Sequence, residues 1–129
     1  MKKTIYKTFI AQITIGLHKD YSKERFSLLK FKKALDFAQR KIKSEYNIAL
    51  SVKVTLCEIV FLGQEEPSVN LQFIQYPKFP QEVSVLKKAI VKLTELLMMK
   101  MKQNRVVIVF TDETIMLEQS DSIDPNILL

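Results

Sequence analysis

The sequence predicts an α+β fold, because runs with a two-residue apolar period are interspersed with two long runs of helical period. The chain has 129 residues, 47% of them hydrophobic, which is enough for one hydrophobic core. Only two glycines and four prolines occur in it, and this scarcity favours long regular elements over loops.

The first half of the chain predicts a strand, a helix and a second strand. Apolar residues alternate in TFIAQITIGL, which begins at Thr8, as in a half-buried strand. Turn and cap residues follow in KDYSKE, where Ser22 or Asp20 is the expected N-cap of a helix that ends near Tyr46. The run LSVKVTLCEIVFL then alternates again and predicts the second strand.

The second half predicts a hairpin, a helix and a final pair of strands. GQEEP is the expected hairpin connection, and SVNLQFIQY returns as the third strand. The second helix is expected from near Gln81 to Lys102, where leucines recur at helical spacing. NRVVIVF is apolar on both faces, so we expect an inner strand, and IMLE predicts a short fifth strand.

The resulting order is β-α-β-β-α-β with a short C-terminal strand and tail. Two split β-α-β units joined by a hairpin make a ferredoxin-like sandwich, one sheet with two helices on one face. We assign residues 1–118 to a single α+β domain and residues 119–129 to an acidic C-terminal tail. The layout resembles that of tautomerase-like subunits, of trimeric nitrogen-regulatory proteins and of RNA-recognition domains, so the order leaves the function open.

Charge is distributed unevenly along the chain, whose net charge is +6. Every lysine and arginine precedes residue 106, whereas the sequence from Thr111 onward contains acidic residues and no basic ones. An acidic end on a basic body can fold back on it, pair with a neighbouring subunit or screen it from nucleic acid.

The sequence also indicates a compartment. No apolar run approaches the length of a transmembrane helix, and the alternating N-terminus is typical of a strand rather than a signal peptide. The single cysteine, Cys57, excludes an intramolecular disulfide and suits a reducing environment. We therefore predict a cytoplasmic protein without membrane contact.

A first candidate cluster is centred on QYPKFPQE, which joins the third strand to the second helix. The topology brings this stretch beside the turn TDET and the lysine-rich N-terminus. Tyr76, Lys78 and Phe79 would then form a ligand or partner rim with Asp112 and Glu113. The alternative is structural, since proline is favoured where a strand leads into a helix.

A second candidate cluster lies at the opposite edge of the predicted sheet. His18, the only histidine, would meet Asp20, Glu65, Glu66 and Arg105 there. Histidine is the side chain suited to acid–base chemistry at neutral pH, and Asp20 or Glu65 would orient it. No accompanying nucleophile supports catalysis, so a surface role is the alternative.

Metal and cofactor sites lack a sequence signature. One histidine and one cysteine make no recognisable ligand set, and two glycines cannot form a glycine-rich phosphate loop. We expect neither metal nor cofactor. The catalytic N-terminal proline of the tautomerase family is also missing, since this chain begins Met1-Lys2.

These observations predict a small, non-catalytic association protein that forms a homo-oligomer. The apolar C-terminal ILL and the methionines Met98, Met99 and Met101, which cover more than one face of their helix, favour self-association or another protein partner. Two alternatives remain: a small-molecule-binding or tautomerase-like enzyme, and a nucleic-acid-binding domain that uses its basic helix faces.

Overall fold

The computed structural model describes residues 1–128 and contains two helices and one five-stranded antiparallel sheet. The elements in chain order are β1 (Ala11–Gly16), α1 (Leu28–Tyr46), β2 (Ser51–Phe61), β3 (Gln64–Ile74), α2 (Val83–Lys100), β4 (Arg105–Phe110) and β5 (Thr114–Glu118). The strand order across the sheet is β2-β3-β1-β4-β5. The ferredoxin-like prediction is confirmed, including the short fifth strand.

Strand alternation divides the sheet into a buried face and an open face. Ile13 pairs with Leu71 and Ile15 pairs with Val69, and all four side chains are buried in the core. The core is completed by the apolar stripes of the helices, including Phe31 of α1. On each strand, the residues that alternate with these buried ones point away from the helices and form the open face.

The first helix begins later than the sequence predicts. Its N-cap is Ser27, whose Oγ accepts a hydrogen bond from the backbone N–H of Lys30 at 3.1 Å. Neither Ser22 nor Asp20 caps it, because residues 17–26 fold into a loop that ends where Phe26 donates its N–H to the Leu17 carbonyl. The loop extends β1 and keeps the chain near the sheet before α1 begins.

The hairpin between β2 and β3 is tighter than predicted. Leu62 and Gly63 form a two-residue turn, with φ of 49° and 79° respectively. Positive φ at both positions matches the strand twist, so the ladder continues directly to the pair Phe61–Gln64. Residues 64–67 therefore belong to β3, and the prediction that they form the connection was wrong.

The methionines at the end of α2 separate into buried and exposed positions. Met98 and Met101 are buried in the core, whereas Met99 is 67% exposed. Neither helix of the described chain is both long and apolar enough to cross a membrane.

Candidate active site

One end of the open face is shaped by the close approach of a carboxylate to a strand backbone. Gly16, at the end of β1, lies beneath the side chains of Glu66 from β3 and Gln103 from the turn before β4. A Cβ added at Gly16 would overlap Glu66 Oε1 and lie 2.9 Å from Gln103 Oε1. Gly16 leaves space for these two side-chain ends, and a larger residue would push the Glu66 carboxylate aside.

The Glu66 carboxylate of β3 is half-buried. Within residues 1–128 no side chain forms an ion pair or hydrogen bond with it. Burial raises the pKa of Glu66, the nearby charge of His18 acts in the opposite direction, and the carboxylate of Asp124 raises it further. A cation placed beside Glu66 would offset the cost of burying its charge.

Gln103 lies over Gly16 together with this carboxylate and is bonded to the loop that follows β1. Its Nε2 donates to the carbonyl oxygen of His18 at 2.6 Å and to that of Met101 at 3.1 Å. The Nε2 group of Gln103 is therefore fixed by two hydrogen bonds, and Oε1 stays over Gly16. Gln103 also lines a neighbouring hollow of about 290 Å³.

The floor of the open face beside Glu66 is polar but uncharged. Ser68 pairs with Gly16 and with Cys57, and Asn70 pairs with Thr14. The Asn70 side-chain amide donates to Thr14 Oγ1 at 3.1 Å. Hydroxyl and amide groups on two adjacent strands can recognise the hydroxyls and ring edges of a small polar ligand.

The middle of the open face on β4 and β5 is apolar, and the Arg105–Glu118 ion pair lies at its end. Val107 and Val109 are 40% and 36% exposed, and Met116, which pairs with Val107, is 54% exposed. A carboxylate, a polar floor and an apolar surface thus lie on one face of the sheet.

The second predicted cluster lies at this end of the sheet, in a different arrangement from the expected one. His18 interacts with Glu66, whereas Asp20 is exposed in a turn with φ of 52° and donates its N–H to the Lys102 carbonyl. Arg105 is held by Glu118, with Nε 2.6 Å from Oε2. The candidate site formed by His18, Asp20 and Arg105 stays a prediction.

The residues of the first predicted cluster lie at the other end of the sheet. Asp112 and Glu113, in the turn between β4 and β5, both accept hydrogen bonds from Lys87 Nζ, at 2.7 and 3.1 Å. The same ammonium lies 5.2 Å from the centre of the Phe110 ring. These hydrogen bonds lower the pKa of Asp112 and raise the pKa of Lys87.

The loop residues of that cluster are exposed and separate from the acids. Tyr76, Lys78 and Phe79 project from the connection between β3 and α2, where Phe79 donates its N–H to the Tyr76 carbonyl at 2.9 Å. Across the described residues, no hydrogen bond or ion pair joins them to Asp112 or Glu113. The rim also stays a prediction.

Sequence reasoning placed Glu66 at the same edge as His18 but did not select it as a site residue. One signal was available, since Gly16 is one of only two glycines and stands inside a strand pattern. A glycine in such a position indicates that another group approaches the backbone closely. Within the described residues, no group of three or more His, Cys, Asp or Glu side chains could hold a metal ion.

Comparison with known proteins relates the fold to one kind of enzyme. No family model and no curated protein matches the chain. Two similar solved structures are the phage SAM lyase in its apo state, with a TM-score of 0.74, and the phage SAM lyase in complex with S-methyl-5′-thioadenosine, with a TM-score of 0.66. Each is 16% identical and the match covers 95% of this chain and 98% of that chain.

This finding contradicts the prediction of a non-catalytic association protein and favours the alternative of a small-molecule enzyme. The prediction depended on the lack of a local catalytic motif. The groups around Gly16 come from three separate parts of the chain, so a motif search along the sequence could not detect them.

Proposed function

We propose that this protein is an enzyme that acts on S-adenosylmethionine (SAM) as a lyase and releases S-methyl-5′-thioadenosine. The observation that carries the proposal is the half-buried carboxylate of Glu66, unpaired within residues 1–128, on the open face of this fold. The likeness to the phage SAM lyase structures supports the choice of substrate.

The charge of Glu66 suits this substrate. SAM carries a permanent positive charge on its sulfonium sulfur and another on its ammonium group. A half-buried carboxylate attracts a cation more strongly than an exposed one, because the surrounding dielectric constant is lower. Glu66 therefore binds and orients the cationic part of the substrate.

The surroundings of Glu66 suit the nucleoside part. Thr14 and Asn70, both partly exposed, offer hydroxyl and amide groups to the ribose. The exposed side chains of Val107 and Met116 offer apolar contact to the adenine ring, and they lie on the same face of the sheet as the carboxylate.

The reaction removes the charge that Glu66 binds. The bond between sulfur and the amino-acid side chain breaks, and its electron pair stays on sulfur, which leaves the neutral thioether S-methyl-5′-thioadenosine. A lyase adds no water, so the four-carbon remainder either releases a proton or closes on its own carboxylate. Either route yields the same sulfur-containing product.

The direct test is to incubate the purified protein with SAM and to measure S-methyl-5′-thioadenosine by mass spectrometry. We expect product to accumulate with time and enzyme concentration. S-Adenosylhomocysteine, which lacks the sulfonium charge, should stay intact. Product no greater than in buffer alone would overturn the proposal.

Self-association remains a separate proposal, supported by the exposed apolar side chains of Val60, Phe61 and Leu62 at the β2–β3 hairpin. We expect a mass above 15.0 kDa by light scattering and a monomeric Val60→Lys variant. A wild-type protein that is monomeric at high micromolar concentration would contradict it.

Binding of single-stranded nucleic acid is a second candidate function, supported by the charge of the helices. The sequences of α1 and α2 contain ten basic and three acidic side chains. Between the helices lies a groove of about 470 Å³, lined in part by Lys30, Lys33, Lys100 and Phe37. Lysines can contact phosphates while an exposed aromatic ring contacts a base.

Fluorescence anisotropy with a labelled oligonucleotide of about 12 bases, within the usual site sizes, tests this function. The Lys30→Gln/Lys33→Gln/Lys100→Gln variant should weaken binding and reduce its salt dependence. The matched control is a triple variant with the same charge outside the groove, Lys32→Gln/Lys41→Gln/Lys88→Gln. Equal weakening by both variants would reject the groove as the site.

A further inference from the structure

The end of the chain forms a strap across the site, defined here as residues 119–128. Its first anchor is the side chain of Asn104. Asn104 Oδ1 accepts from the backbone N–H of Ser120 at 2.9 Å, and Nδ2 donates to the carbonyls of Ser120 and Ser122 at 3.2 Å each. The Asn104 amide thus bonds both the N–H and the carbonyl groups of the strap backbone, as the backbone of an adjacent strand would.

The second anchor lies on the other side of the site. Gln64 Nε2 donates to the Leu128 carbonyl at 2.7 Å, and Gln64 Oε1 accepts from the Leu128 N–H at 2.9 Å. Between the anchors, Asn126 donates to the Tyr21 carbonyl at 2.8 Å, and Tyr21 donates its hydroxyl to Ser122.

The anchors determine the path of the strap over the sheet. Asn104 immediately precedes β4 and Gln64 begins β3, and β1 lies between these two strands. The strap therefore crosses the end of β1, where Gly16 and Glu66 meet. Asp124 lies close enough to influence the charge of Glu66.

The strap is held mainly by hydrogen bonds rather than by apolar packing. Its large apolar side chains are exposed: Ile123 by 74%, Ile127 by 45% and Leu128 by 71%. Segments with few buried apolar contacts open locally without unfolding the rest of the protein.

We propose that the strap is a gate that closes over a cationic ligand in the Glu66 site, and this inference depends on the proposed function. The strap opens to admit SAM and closes with Asp124 facing the cation held by Glu66. Once the sulfur becomes neutral, Asp124 loses its attraction to the bound cation. The strap is then held by its hydrogen bonds alone and opens more readily, which releases S-methyl-5′-thioadenosine.

The test compares the wild-type protein with a variant that ends at Glu118, using stopped-flow binding of SAM and of S-methyl-5′-thioadenosine. We expect deletion to increase the rate of SAM dissociation by roughly tenfold, as for the loss of one net charge-assisted contact. The rate of product dissociation should change less. Gln64→Ala, which keeps the chain intact, should change the SAM rate in the same direction, and Gln72→Ala on the same strand is its matched control.

Hydrogen exchange gives a second readout of the same gate. Saturating SAM should slow exchange in residues 119–128, whereas S-methyl-5′-thioadenosine should slow it less. If SAM binds equally fast and dissociates equally slowly from both chains, the gate is rejected and the proposed function stands. If neither chain binds SAM, the proposed function fails and the gate fails with it.

Discussion

The carboxylates at the two ends of the sheet have opposite surroundings. At one end Asp112 and Glu113 are more than half exposed and share the ammonium of Lys87, whose single positive charge offsets part of their negative charge. At the other end Glu66 is half-buried over Gly16, and no cation within residues 1–128 pairs with it.

This difference in charge pairing suggests different roles for the two sets of carboxylates. A paired charge favours the folded state, whereas an unpaired and partly buried charge opposes it. A protein retains such an unfavourable charge where a ligand can use it. Glu66 is therefore the stronger candidate for ligand binding, whereas the pairing of Lys87 with its two acids favours the folded state.

The largest effect is expected from Gly16→Ala. The added Cβ would displace Glu66 and Gln103, and a displacement of about 1 Å can lower catalytic efficiency roughly 100-fold. Steady-state release of S-methyl-5′-thioadenosine measures the loss, and circular dichroism should show an intact fold.

The matched control is Gly63→Ala in the β2–β3 turn. Its φ of 79° strains any other residue, so the free energy of unfolding should fall by about 1 kcal/mol while activity stays unchanged. If Gly16→Ala is fully active, activity does not depend on the position of the Glu66 carboxylate.

Removing the ammonium of Lys87 should lower the stability of the protein rather than its activity. Lys87→Gln leaves Asp112 and Glu113 without their partner, so the melting temperature should fall, whereas Lys88→Gln, an exposed neighbour, should leave it nearly unchanged. The difference in melting temperature between wild type and Lys87→Gln should disappear at low pH. Because the pKa of Asp112 is lowered in the folded state, its stabilising contribution is present above its unfolded value of about 3.9 and is lost as pH falls through the folded pKa.

Glu66→Gln should have the reverse effect on stability. Because burial raises the pKa of Glu66, its ionised form opposes folding at any pH above the folded pKa. The variant should melt at a higher temperature than wild type at pH 7. The difference should vanish as pH falls below the unfolded value of about 4.3. A lower melting temperature for the variant at pH 7 would indicate that Glu66 has a stabilising partner.

The smallest effect is expected in the exposed loop between β3 and α2. Phe79→Ser should change the free energy of unfolding by less than about 0.5 kcal/mol, because the ring is 70% exposed. Chemical denaturation measures this change. A large loss of activity in this variant would indicate that the active site lies at this end of the sheet and not beside Glu66.

Much of the fold was predictable from the sequence because its signals are local. The alternation around Ile13 and the helical spacing in α2 each identify an element, and their order identifies the topology. The errors concern turns. Leu62 adopts positive φ without being glycine, and Ser27 caps α1 only because the preceding loop stays on the sheet.

The candidate site was less predictable because it depends on contacts between distant residues. Gly16, Glu66 and Gln103 meet only after three strands are in register. The strap depends on one side-chain amide from Asn104 and another from Gln64, which no periodic pattern reveals. Topology brought His18 and Glu66 to the same end, but only the packed structure shows their proximity.

The most direct test compares the catalytic efficiency of wild type, Glu66→Gln and Glu65→Gln with SAM as substrate. Glu65 is the adjacent, exposed carboxylate and controls for the loss of one negative charge. The account predicts a loss of about 10- to 100-fold for Glu66→Gln, the usual value of a hydrogen bond or contact to a charged group. Glu65→Gln should keep nearly full activity. Equal activity of wild type and Glu66→Gln would contradict the account.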